Sequence, residues 1–387
     1  MGAVPDDRPD TSQADLQLAA ILCGDTVAIG PADEPPLFDA ASRHDIVPLL
    51  SHVACGGSVS AGGVPPTQFS RAFVARLRAI AQQTAAADLA AEAELRRVLA
   101  AFDRSGIPAL IIKGSHLAYT HYPRPDLRAR TDTDLLIRRD QRERADRVLR
   151  KVLGYTAQAK LSGDLTATQA LYTRTTAEGL ALMVDLHWRL ASPQVFAHVL
   201  SFHELDTGSR TVPALSPAAR APGSVHALVI ACMHQVAHHR DEAEQFKWLY
   251  DIHLLASRFT PADWDAFASV IAERQVTTVC LHGLERSQFW FRTFLPPRHY
   301  EAWRTSVRTK REQTASYLDA PSQAAAVLDD LRALPAWSDR LRLMREHLFP
   351  SADYMRRVYA PASAFPLPVL YAVRAVRGAR RWLRLPL

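Results

Sequence analysis

The sequence predicts an α+β fold, with a small mixed sheet set between N-terminal helices and a wholly helical C-terminal domain. Three observations predict it. Apolar runs at 109–112, 131–137 and 180–188 have the length and β-branched content of strands and are bounded by turn residues. The stretch 68–105 contains neither Pro nor Gly and is rich in Ala and Arg, the composition of a long helix. From Ser224 onward the apolar spacing is helical almost to the end.

The bulk numbers bound the function. Hydrophobic residues are 48% and charged residues 22% of the 387, the balance of an ordinary globular protein, and the length predicts two or three domains. No apolar run reaches the ~20 residues of a membrane span. Residues 1–15 are acidic and polar, unlike a secretory signal. Cys23, Cys55, Cys232 and Cys280 form no CxxC pair and read as reduced thiols in a cytoplasmic protein, not as a zinc site. The net charge of +6 is carried almost wholly by Arg, since Lys stands only at 113, 151, 160, 247 and 310. Arginine suits phosphate-bearing partners, but so mild an excess does not predict stable nucleic-acid binding.

In chain order, residues 1–13 read as irregular, and 14–24 and 37–52 as helices separated by the Pro-rich piece 31–36. A loop at 56–66 precedes the long helix, which is expected to pack across the back of the next domain. The core, 106–205, opens with the strand 109–112 and the turn Lys113-Gly114-Ser115, which starts a helix. A Pro-rich loop at 122–126 and the strand 131–137 follow, then a helix over 140–153 closed by Gly154 as its C-cap. Strands are expected at 155–160, 170–175 and 180–188. Residues 210–223 read as a Pro-rich linker, and helices follow at 224–240, 244–257, 261–274, 276–293, 297–306, 320–333, 336–347 and 351–359. The expected domains are thus 1–105, 106–205 and 206–365, with a basic amphipathic tail at 366–387. The tail has Arg at 374, 377, 380, 381 and 384 among apolar residues, suited either to weak contact with an anionic membrane surface or to docking on the protein itself.

The chemistry centres on Asp132 and Asp134. Residues two apart on a strand share a face, and adjacent carboxylates repel unless a cation lies between them. A hard divalent ion such as Mg2+, or Mn2+, held by carboxylates and substrate phosphates resolves the conflict. Asp185 and His187 are also two apart, and Asp185 becomes a third acid if its strand lies beside the first pair.

With a strand, the Gly114-Ser115 turn, a helix, a strand carrying Asp132 and Asp134 and a third acid, Asp185, on a later strand, the chain resembles the polymerase-β-like nucleotidyltransferase superfamily. Within it, Lys113-Gly114, Arg128 four residues before the acid pair, Asp185-Leu186-His187-Trp188, Trp248-Leu249-Tyr250-Asp251-Ile252-His253 and Leu348-Phe349-Pro350-Ser351 resemble the uncharacterised bacterial nucleotidyltransferases. The resemblance covers most of residues 90–360. The interval from Ser115 to Asp132 is longer than in many superfamily members, the Pro-rich loop being the apparent insertion.

The resemblance implies Asp132, Asp134 and Asp185 as ligands of Mg2+ or Mn2+, and an NTP such as ATP as donor. Its triphosphate would lie on Gly114 and Ser115 at a helix N-terminus. An acceptor oxygen on a small molecule, peptide or protein would attack the α-phosphorus and expel pyrophosphate. Lys113 reaches phosphate or pairs with the acids, and Ser115 donates to phosphate or caps the helix. Arg128 contacts phosphate; Arg130 does so or is surface charge. His187 acts as base toward an acceptor hydroxyl or hydrogen-bonds a carboxylate.

A rival site involves His234 and His238, which are four apart on one helix, with Asp251 on the next. That spacing fits a His/Asp phosphohydrolase, helix-packing histidines, or histidines at the domain interface touching nucleotide or acceptor. No Glu follows His234 as in HExxH, and the region has no His-Asp dipeptide. Transfer of another group, such as glycosyl, from a nucleotide-activated donor and a non-catalytic binding module are the remaining alternatives.

Overall fold

Alternation along two short strands decides how the sheet is faced. The structure, a computed structural model, describes residues 12–57, 68–158, 163, 165–238, 244–319, 323–359 and 365–383. Its main sheet contains β1 (Ala109–Ile111), β2 (Thr133–Ile137), β3 (Thr156–Ala157), β4 (Gln169–Thr175) and β5 (Ala181–His187), in the order β1-β2-β5-β4-β3. The β2–β5 pair is parallel and the other three pairs are antiparallel, so the sheet is mixed as expected. Asp134 pairs with Asp185, and Leu136 with His187. Both acids and the histidine therefore project from one face, while Leu135, Ile137, Val184 and Leu186 project from the other.

Helices α1 (Gln13–Leu22), α2 (Glu34–Arg43), α3 (Val47–Ala54) and α4 (Arg71–Arg104) precede the sheet. Between and just after its strands come α5 (Lys113–Thr120), α6 (Arg142–Arg147) and α7 (Phe202–Thr207). The C-terminal region contains α8 (Ser224–His238), α9 (Phe246–Ala256), α10 (Pro261–Glu273), α11 (Thr277–Phe291), α12 (Pro297–Thr309), α13 (Ser316–Asp319) and α14 (Gln323–Ala333). It ends with α15 (Trp337–Leu348), α16 (Ala352–Tyr359) and α17 (Leu367–Leu383).

Helix α4 is capped by Ser70, whose Oγ accepts from the Phe73 N–H at 3.1 Å. Its C-terminal half supplies Leu95, Val98, Leu99 and Phe102 to the core behind the sheet, beside Leu135, Ile137, Val184 and Leu186. The long helix thus covers the back of the sheet, as its composition led one to expect. Its first half is buried elsewhere: Phe73 and Leu77 share a second core with α1–α3, α8–α11 and the front-face residues Leu110 and Leu136. The two cores therefore do not follow the linear order of the chain.

Several elements differ from expectation. The predicted helix 37–52 is two helices, broken where Asp45 takes φ 57°, and α2 starts at Glu34 because Pro35 and Pro36 fit a first turn. Residues 210–223 are not a free linker. They form a hairpin, β6 (Arg210–Thr211) and β7 (Arg220–Ala221), because Val212, Leu215, Ala219 and Ala221 bury in the core behind the main sheet. The strand expected at 155–160 is only the two-residue β3; residues 159–160 lie outside the described residues, as do 1–11, 58–67, 239–243 and 384–387. Gly154 takes φ 76°, the left-handed cap expected of it.

The tail docks on the protein over part of its length. Leu370 of α17 buries with Met355, and the Tyr371 hydroxyl donates to the Pro350 carbonyl at 2.6 Å. On α15, Trp337, Leu341, Met344 and Leu348 recur three to four residues apart and stand exposed. Among the described residues, no helix is long and apolar enough to cross a membrane.

Phe102 is 1% exposed in the core behind the sheet. Phe102→Ala is expected to lower stability by about 3–5 kcal/mol, the usual loss for a buried ring that leaves a cavity. Urea unfolding measures this, and a loss below about 1 kcal/mol would mean that α4 is not the essential cover.

Candidate functional site

The site forms where β1 turns into α5 against the paired strands β2 and β5. The Ile112 N–H donates to the Asp134 carbonyl at 3.1 Å, fixing the end of the first strand. The next residue, Lys113, takes φ 54°, a left-handed conformation uncommon outside glycine. Lys113 Nζ donates to Asp134 Oδ1 at 2.7 Å and lies 3.2 Å from His187 Nε2. His187 Nε2 is in turn 2.9 Å from Asp134 Oδ1 and 3.5 Å from Asp185 Oδ2. Gln169 of β4 donates its side-chain N–H to Asp185 Oδ2.

Charge and burial set the protonation states. Burial alone would raise the Asp134 carboxyl, but the Lys113 charge and the His187 hydrogen bond hold it well below the usual carboxylate range. Burial and the Lys113 charge push His187 down, and Asp134 and Asp185 only partly offset them, which favours the neutral ring. A neutral imidazole nitrogen donates or accepts, never both. Nε2 therefore cannot accept from Lys113 while donating to Asp134. The Lys113 ammonium, facing both Nε2 and Asp134 Oδ1, removes the conflict, because each then offers it an electron pair, as each would to a metal cation.

The donor set suits such a cation. Among the described residues, Asp134, Asp185 and His187 form a buried group whose ligand atoms lie within 4.8 Å of one another. Two carboxylates and an imidazole are ordinary ligands for a divalent ion. This group differs from the set of three acids expected from sequence. Asp132 lies in a bend one residue before β2 and outside the 4.8 Å group, while His187 is inside it. The shared face of residues 185 and 187 was legible; the role of Gln169, set by its register opposite His187, was not.

Ser115 and Arg128 are engaged within the protein. Ser115 is buried, its Oγ accepting from the Asp134 N–H at 3.1 Å and donating to the Asp132 carbonyl at 3.5 Å, which braces the start of β2. Arg128 is also buried and makes a forked contact with Asp251 of α9: Nε to Oδ1 at 2.9 Å and Nη2 to Oδ2 at 2.7 Å. The Tyr122 hydroxyl donates to the same Oδ1 at 2.9 Å. Despite its burial, Arg128 is held above its ordinary pKa by Asp251. Gly114 lies beneath this guanidinium, and a Cβ there would stand 2.8 Å from Arg128 Cζ. Arg130 is largely buried as well and pairs with Asp88 of α4, so it is not plain surface charge.

The acid and the first histidine of the rival site have other neighbours as well. Asp251 is committed to Arg128 and Tyr122. His234 packs edge-on against Trp248, ring centroids 5.3 Å apart. Together with Lys113, His116 and Leu117 these rings line a narrow cleft of about 10 Å³ between α5 and the helices α8 and α9, room for about one water-sized group. His116, missed from sequence, is buried there, with its pKa pushed down to about 3 mainly by that burial. The side chain of His238 lies outside the described residues.

The profile of the uncharacterised nucleotidyltransferase family matches residues 30–330, well over half the chain, and takes in the strands, the acidic group and the Arg128–Asp251 pair. The chain belongs to that family. It is thus an enzyme of the nucleotidyltransferase class, as the motifs around Lys113-Gly114 and the acids implied. No curated protein sequence matches it.

Arg128→Met is expected to lower stability by about 3–5 kcal/mol, because it leaves Asp251 buried without its cation. Adding Asp251→Leu to the same chain is expected to recover part of the loss. Urea unfolding compares the two; a double variant no more stable than Arg128→Met would mean that the stranded carboxylate is not the cause.

Proposed function

We propose that this nucleotidyltransferase-family member moves a nucleotidyl group from an NTP to a hydroxyl or phosphate of a small-molecule, peptide or protein acceptor, releasing pyrophosphate. The observation that carries the reading is the register of Asp134 opposite Asp185, with His187 on the same face, beside a lysine-glycine turn that opens a helix. Asp134, Asp185 and His187 would hold a divalent ion, Mg2+ or Mn2+, with Asp132 at the rim. Such an ion, when bound, supplies a Lewis acid for the phosphoryl oxygens and for the attacking oxygen.

The protein's own groups fix the rest. Gln169 orients Asp185, and Ser115 holds the β2 backbone that carries Asp134. The first turn of α5, at Gly114 and Ser115, offers N–H groups and dipole to the donor phosphates. Lys113 adds positive charge at the same end. The acceptor would approach through the cleft lined by His116, His234 and Trp248. In this reading His187 is a ligand and not the base, since its Nε2 faces the acids.

We place the reaction in the cytoplasm, a reading supported by four cysteines that stand as free thiols. Weak contact of α17 with an anionic membrane surface is part of the same proposal, supported by the exposed neighbours Val376 and Arg377.

Calorimetric titration of each NTP and one nucleotide-sugar, with and without Mg2+ or Mn2+, tests the reading on the wild type and the Asp134→Asn/Asp185→Asn variant. One NTP is expected to bind only with the divalent ion and to lose binding in the variant. Equal binding with and without the ion would overturn it, and preference for the nucleotide-sugar would favour a different transferred group.

A further inference from the structure

We infer that Lys113 is a built-in stand-in for the divalent cation: it occupies the cation position of the acidic group and yields it on ion binding, moving its charge into the adjoining cleft. The inference rests on the ion-binding role proposed above for Asp134, Asp185 and His187.

Three observations support it. First, Lys113 Nζ touches Asp134 Oδ1 at 2.7 Å and stands 3.2 Å from His187 Nε2, the two atoms an ion would share. A second cation contacting the same atoms is repelled by the ammonium and competes with it for their electron pairs. Second, Asp134 and Asp185 are both buried and paired in register, a juxtaposition that requires compensating charge when no ion is present. Lys113 supplies that charge.

Third, the lysine has somewhere to go. It sits at the junction of β1 and α5 and also lines the cleft with His116, Leu117 and Trp248. Its long side chain turns about several bonds. The backbone next to it is pinned, because Arg128 lies over Gly114 and is anchored on Asp251. A side-chain rotation therefore suffices, without movement of the strand or helix. The swing carries the ammonium into the cleft alongside α5, the helix whose N-terminal turn favours anionic phosphate. Ion loading would then prepare the phosphate site with the charge it has just displaced.

Mn2+ is the probe, used on the full chain without nucleotide. Its binding is followed by the paramagnetic resonance signal of the free ion and by thermal melting, for the wild type, Lys113→Met, Lys113→Gln and Asp134→Asn. Both Lys113 variants are expected to bind Mn2+ at least about tenfold tighter than the wild type, because no ammonium has to be displaced. Without Mn2+ they are expected to melt at a lower temperature than the wild type, and with it to gain more. Asp134→Asn should lose binding, which assigns the signal to this site. If Mn2+ binds the wild type and the Lys113 variants no more tightly, the stand-in role is wrong while the ion site survives. If Mn2+ binds none of the proteins, both readings fall. Inorganic tripolyphosphate tests the second half: Mn2+ should strengthen its binding to the wild type more than to Lys113→Met, and equal strengthening would overturn the transfer of charge.

Discussion

A buried guanidinium joins the two halves of this protein. Arg128 leaves the loop before β2, crosses Gly114 and ends on Asp251 of α9, with Tyr122 completing the carboxylate's partners. Buried ion pairs of this kind contribute little net stability against an apolar replacement, but losing one partner is severe. Their value here is positional. The glycine allows the arginine to approach, the arginine fixes the turn, and the turn aims Lys113 at the acids. The sheet's front face and the helical C-terminal region are thereby set against each other, with the cleft between α5 and the helices α8 and α9.

The acidic group itself follows from strand geometry. Parallel pairing of β2 with β5 places Asp134 opposite Asp185, and the two-residue period puts His187 on the same side. The opposite face is mostly apolar and is covered by α4 and α6, with Arg174 paired to Glu94 of α4 at its margin, so the carboxylates lie on the face turned toward the helical region. Two carboxylates and one neutral imidazole converge on a point that requires positive charge. Lys113 meets that requirement from the strained first position of α5. Membership of the nucleotidyltransferase family gives this cluster a chemical context that its geometry alone does not supply.

Much of this arrangement was legible in the chain, and the reason is periodicity. Strands β2, β4 and β5 announce themselves by β-branched and apolar content, and the spacing of 132, 134, 185 and 187 reveals shared faces. The helices of the C-terminal region are equally plain from their apolar spacing. Partners across long separations are another matter. Asp251 looked like a companion for His234 and His238 because spacing along one helix is visible, whereas its true partner lies 123 residues away. The same limit hid Gln169, whose role depends on an antiparallel register. The hairpin at 210–221 was hidden because prolines and short strands resemble a linker until their apolar side chains find a core.

The order of the sheet has a bearing on how the molecule breathes. β2 and β5 are flanked by strands on both sides, whereas β1 and β3 are short outer strands. Opening of a folded protein begins where backbone hydrogen bonds are few and exposed, and reaches central strands last. The amides beside Asp134 and Asp185 therefore belong to the slowest-exchanging class, and fraying at either edge leaves the ligand atoms in register. Lys113 and the first turn of α5 lie next to the edge strand β1, but the Arg128–Asp251 anchor over Gly114 keeps that side of the site in place when the edge frays.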